Sequence, residues 1–149
     1  MTKRSPILLP FLSQRGQALP LIALGMIVLL AFIGLTVDVG ILFIASGHLR
    51  RAVDSAALSA AAQFREGRSL TELTTSATEF IALNGVTPLT VTVDTCDTDA
   101  TLCTNPRRKL VHVTATAQVD FVFLPVINVY NTVVSANSTS EAASVDVAL

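Results

Sequence analysis

Between Ala18 and Val37 the chain reads ALPLIALGMIVLLAFIGLTV, a stretch without a single ionisable side chain. As a helix rising about 1.5 Å per residue, it measures roughly 30 Å, the thickness of a bilayer's hydrocarbon core. Buried helices of soluble proteins rarely keep so many successive positions free of polar groups, so a membrane-spanning helix is expected. Pro20 falls in its first turn, where the missing N–H costs nothing. Gly25 and Gly34 are ordinary residues of membrane helices, often at close helix contacts. Composition points the same way: hydrophobic residues are 51% and charged residues 14% of the chain, with a net charge of −1. Soluble domains carry about 25% charged residues. Disorder requires the opposite balance, and nucleic-acid binding requires surplus positive charge.

A cleavable signal peptide competes with an uncleaved anchor. Lys3, Arg4 and Arg15 form a basic leader, but the apolar stretch exceeds the usual signal core, and LTVDVGILFIASG carries the apolar pattern on to Gly47. The uncleaved anchor fits better. The chain then divides into a short basic cytoplasmic tail (1–17), an apolar helix (18–47) and an extracytoplasmic domain (48–149). Arg50 and Arg51 follow the span, so counting positive charges only weakly favours a cytoplasmic N-terminus. Asp38 has two readings: it marks the outer membrane boundary, or it pairs with a cation or N-terminus of a neighbouring subunit.

Beyond Gly47, HLRRAVDSAALSAAAQFREG contains no Pro or Gly until Gly67, so one helix is expected from Leu19 to Glu66. Ala52, Ala56 and Ala60 stack on one face, where they either admit another backbone closely or serve helix propensity alone. Gly67 should stop this helix. Ser69-Leu-Thr-Glu72 has the form of a capping box for a second helix running to about Leu83, with Asn84-Gly85 as its stop. The period then changes to two. Leu89, Val91 and Val93 alternate with Thr and Asp, and Val111 to Phe123 alternate apolar with polar positions, the mark of half-buried strands. Thr132 to Val147 reads as a weaker third strand. The expected architecture is α+β: a long membrane-spanning helix continuing into an Ala-rich helix, a second short helix, and a small antiparallel sheet packed on the helix.

Cys96 and Cys103 suit a structural disulfide if the domain is exported, because their spacing fits neither a zinc site nor a C-x-x-C redox motif. Asp94, Asp97 and Asp99 share that loop but lack the pattern of an EF-hand, so a solvated acidic loop is expected. His48 and His112 have no partner at catalytic or metal spacing. Asn137-Ser-Thr matches a glycosylation sequon, a short motif that carries little by itself. No phosphate-binding loop, nucleophile elbow, H-E-x-x-H or paired-carboxylate arrangement occurs in the sequence. No enzymatic activity, cofactor, metal, nucleic acid or small-molecule substrate is therefore expected.

Three segments in order resemble the TadE/TadG-like proteins of the tight-adherence (Flp) pilus assembly system. They are Arg15-Gly-Gln-Ala-Leu-Pro, Gly34-Leu-Thr-Val-Asp38-Val-Gly40 and Leu49-Arg-Arg-Ala-Val-Asp54-Ser-Ala-Ala57-Leu-Ser-Ala60. Val111-His-Val-Thr-Ala-Thr and Val133-Val-Ser-Ala-Asn-Ser-Thr-Ser-Glu-Ala look like the family's closing strands. The resemblance implies a single-pass protein of the bacterial inner membrane, in a short form with a TadG-like N-terminal region. Some relatives are pseudopilins cut after a glycine. Gly16 is the matching position here, with Gln17 as the new N-terminus, but the fifth mature residue would be Leu21 where a pilin-type site carries Glu.

The expected function is that of a minor pilin or pseudopilin-like structural component. Its partners would be the lipid bilayer and other pilus subunits, contacted through the long helix. The alternatives are an adhesion or binding module tethered by its helix, and a secreted protein with a cleaved signal.

Overall fold

The computed structural model describes residues 18–103 and 109–142. Its first element, α1 (Ala18–Arg65), is one unbroken helix of 48 residues, about 70 Å long. It ends at the first glycine after Gly47. Gly67 adopts φ +82°, and the N–H groups of Gly67 and Arg68 donate back to Phe64 and Gln63, closing a Schellman motif. Ser69 then caps α2 (Leu70–Leu83): its hydroxyl accepts from the Glu72 N–H while its own N–H donates to the Glu72 carboxylate. The Ser69 N–H, then the Ser69 hydroxyl and Arg68, hold the Glu72 carboxyl below its ordinary pKa. A second Schellman motif at Gly85, φ +78°, ends α2.

Polar side chains on α1 decide where α2 lies. Gln63 donates to Ser76 Oγ at 2.6 Å, and Asn84 at the far end of α2 donates to Ser55 Oγ at 2.9 Å. These two contacts lay α2 back along α1.

Strands β1 (Thr90–Thr95), β2 (Leu110–Asp120) and β3 (Asn131–Glu141) form an antiparallel sheet in the order β1-β2-β3. Along β2 the alternation is strict: Val111, Val113, Ala115, Ala117 and Val119 are buried, and their neighbours face outward. The buried face packs on the helices, with β2 and β3 against α1 and β1 against α2. Ala52, Ala56, Ala57 and Ala60 of α1 lie at 0% exposure beneath it, joined by Leu49, Val53, Leu73, Ala77 and Ile81. Side chains this small leave the strand backbones free to approach the helix closely, so a thin core is filled without large residues. The outer face is hydroxyl-rich and bonded to itself. Thr90 and Thr116 meet at 2.6 Å across strands, and His112 meets Thr139 at 2.8 Å.

The α+β expectation is met, and both helices fall within a residue of their expected bounds. Two strands differ. β2 stops at Asp120 rather than continuing its alternation through Phe121 and Phe123, and β3 ends at Glu141 rather than Val147. Residues 143–149 lie outside the described residues. The end of β2 has a local cause, set out below. Cys96 and Cys103 are bridged, their Cα atoms 5.1 Å apart in the β1–β2 connection. On the chain-entropy model, closing so short a loop contributes about 2.5 kcal/mol. In the same connection Asp99 is engaged with Thr101, whose hydroxyl and N–H hold its carboxyl below the ordinary value.

The tightness of the Ala-lined interface can be tested directly. Ala56→Leu should destabilise the protein by about 1–3 kcal/mol through overpacking. Leu58→Ser, two residues along at an exposed position, should change stability by less than about 0.5 kcal/mol. Thermal unfolding of the two variants in detergent measures the contrast.

Candidate functional site

The first half of α1 is an exposed apolar rod. Leu19, Leu24 and Phe32 are 76%, 63% and 66% exposed, and exposure of large side chains continues to Phe43 and Ile44. This helix is long and apolar enough to cross a membrane. Two residues on it stand apart. Gly34 and Asp38 are one turn from each other on the same side, and both are buried.

What buries them is the connection between β2 and β3. The carboxylate of Asp38 accepts four hydrogen bonds from three successive backbone N–H groups. Oδ1 receives Val122 at 2.8 Å and Phe123 at 3.2 Å; Oδ2 receives Phe123 at 3.0 Å and Leu124 at 2.7 Å. Consecutive amides turned to one side form a concave nest for an anion, and bonds to an ionised acceptor are the strong kind. This is why β2 ends at Asp120. The amides that would continue the ladder rotate toward Asp38, and the chain goes into a 3₁₀ turn at Leu124–Ile127. Asn128 closes the turn with φ 68°, a left-handed conformation that Asn tolerates better than most residues.

Gly34 makes room for the same connection. A Cβ at this position would lie 3.0 Å from both Cβ and Cγ of Phe123, closer than van der Waals contact allows. Glycine below and aspartate above thus form one receptor on the helix: a gap for the Phe123 side chain and an acceptor for the backbone around it.

The structure brings Asp38 together with Val122, Phe123 and Leu124, which sequence reasoning did not connect. Of the two readings of Asp38, a mark of the outer membrane boundary or a pair with a cation or N-terminus of a neighbouring subunit, the contact bears on the second alone: its acceptor sites are filled by three donors of its own chain. Ala52, Ala56 and Ala60 also face inward, beneath α2 and the sheet of the same chain, so none of the three is available to a helix of another chain in this arrangement. Gly16 and Gln17 lie outside the described residues. A signal for the missed contact existed in the run FVFLPVINVY (121–130), which has no Asp, Glu, Lys or Arg in a place where hairpin connections are ordinarily polar.

The chain is thus an α+β protein whose apolar helix is held by one carboxylate to the sheet connection. Residues 16–63 match the family model described as "Putative Flp pilus-assembly TadE/G-like". The matched segment runs from Gly16 through the apolar rod, Gly34, Asp38 and the Ala face to Gln63, about a third of the chain, and it supports involvement in Flp/Tad pilus assembly. No curated protein and no solved structure matches the chain.

Asp38→Ala should release the connection without unfolding the sheet. The amides of Val122, Phe123 and Leu124 should exchange hydrogen faster, while those of Val111 to Val119 keep their protection. Gly34→Leu should do the same by steric exclusion of Phe123, at about 1–3 kcal/mol. Unchanged exchange at residues 122–124 in both variants would refute the contact.

Proposed function

We propose that this chain is a membrane-anchored structural component of the Flp/Tad pilus assembly apparatus, minor-pilin or pseudopilin-like, with no catalytic role of its own. The observation that carries the reading is the coincidence of the TadE/G-like match at residues 16–63 with the exposed apolar half of α1. A rod of this length with large aliphatic side chains turned outward requires an apolar surrounding. A bilayer supplies it along some 30 Å.

In this reading the N-terminal tail with Lys3, Arg4 and Arg15 stays in the cytoplasm of a bacterial inner membrane. The sheet and α2 stand outside, where the Cys96–Cys103 bridge is stable. Other pilus components dock on what the fold leaves uncovered, namely the outer sides of α1 and α2. Leu58 at 65% exposure and Leu83 at 81% are the most exposed large apolar side chains there, with Leu70 and Phe80 less so.

Deleting the gene should abolish or impair Flp-type pili in the host bacterium, and the complemented chain should sediment with membranes and resist carbonate extraction. Full piliation in the deletion strain, or recovery of the intact chain in a detergent-free soluble fraction, would contradict the proposal.

A further inference from the structure

We infer that the β2–β3 connection, residues 121–130, is a second lipid-embedded element: a short apolar wedge lying beside α1 within the bilayer. The inference rests on the membrane reading of α1 and adds to it a part of the protein remote in sequence.

Depth is the first argument. The apolar run of α1 extends from Ala18 to Ser46, broken only by Asp38. A span takes about twenty residues. Whichever twenty-residue window of that run crosses the bilayer, Ile27 to Val37 lies inside it. The connection packs along this common part. Phe123 closes on Gly34, and Val126 and Ile127 lie across an open apolar cleft from Ile27, Leu30 and Ala31. Every placement of the helix therefore carries the wedge into the hydrocarbon with it.

Chemistry is the second. Val122, Val126 and Ile127 are 63%, 88% and 67% exposed, an arrangement unfavourable in water and favourable in acyl chains. Tyr130, the chain's one tyrosine, stands at the end of the connection nearer the sheet, as aromatic residues do at membrane interfaces.

Backbone polarity is the third argument, and the most restrictive. Non-helical backbone enters hydrocarbon only where its hydrogen bonds are made internally. Phe121 donates to Tyr130 O, and Val122, Phe123 and Leu124 donate to Asp38. Val126 donates to Phe123 O, Asn128 to Pro125 O, and Val129 to Leu124 O. Pro125 has no N–H to satisfy. Asp38 is thereby explained: at this depth water cannot serve the three amides that begin the turn, and a carboxylate on the adjoining helix does.

The test uses the full chain, with its native disulfide intact, in phosphatidylcholine/phosphatidylglycerol vesicles. Single cysteines at Val126, Ile127, Leu29 and Leu83 are labelled with an environment-sensitive fluorophore; the parent chain, whose two cysteines are bridged, serves as the unlabelled control. Val126→Cys and Ile127→Cys should emit to the blue and lose emission to nitroxides on lipid acyl chains but not to aqueous iodide. Leu29→Cys, within the span, should behave alike, whereas Leu83→Cys should be quenched by iodide. Lipid quenching at Leu29→Cys with iodide quenching at both loop positions would overturn the wedge and leave the span standing. Blue emission at the loop positions with neither quencher effective would also overturn it, because a protein neighbour would then cover the wedge. Iodide quenching at Leu29→Cys would overturn the membrane reading itself.

Discussion

A carboxylate in an apolar setting is tolerated only when its lone pairs are filled, and the whole arrangement of this protein turns on how Asp38 fills them. Its four hydrogen bonds come from main-chain groups more than eighty residues away in sequence. They fix the point at which the sheet's central hairpin meets the long helix. Backbone donors have no rotamers to freeze, so the cost in side-chain entropy falls on Asp38 alone, a short residue already held by the helix. The contact also sets direction. With the hairpin pinned at Asp38 and Phe123 set against Gly34, the sheet is fastened to α1 both there and along the alanine face above.

That second fastening limits how the protein can associate. Alanines at 0% exposure along α1 are covered by α2 and the sheet of the same chain, so close packing of another chain's helix through this face would require those elements to leave. Contacts to other subunits are accordingly assigned to surfaces the fold leaves open. Below Gly34 the apolar rod is unclad except for the 3₁₀ turn, and it offers large aliphatic side chains on the other sides. Beyond Ile44, the large apolar side chains exposed on α1 and α2 are Leu58, Leu70, Phe80 and Leu83 rather than a rod of them. The two regions suit different neighbours: lipid or other apolar helices below, a polar protein surface above.

Local signals in the sequence were strong where structure is local. The capping box at Ser69 and Glu72 and the glycines at 67 and 85 place α2 to within a residue, because caps and left-handed stops are chemical properties of single side chains. The alternation along Val111–Val119 identifies the buried face of β2 for a similar reason. Legibility fails where one residue answers to a distant one. Alternation alone would continue β2 through Phe121 and Phe123, and only the pull of Asp38 on three amides turns the chain there. The alanines show the converse limit: small residues every fourth position announce a close approach, but not whether the approaching backbone belongs to the same chain. Asp38 was legible as an anomaly and illegible as a contact, since its partners are amides and every residue but proline has one.

The most direct measurement of the central claim is NMR detection of scalar couplings across hydrogen bonds from the Asp38 side-chain carboxyl carbon, in protein held in detergent micelles. Couplings to the backbone nitrogens of Val122, Phe123 and Leu124 are the predicted result. Their absence, with those three amides exchanging as freely as an unstructured loop, would contradict it.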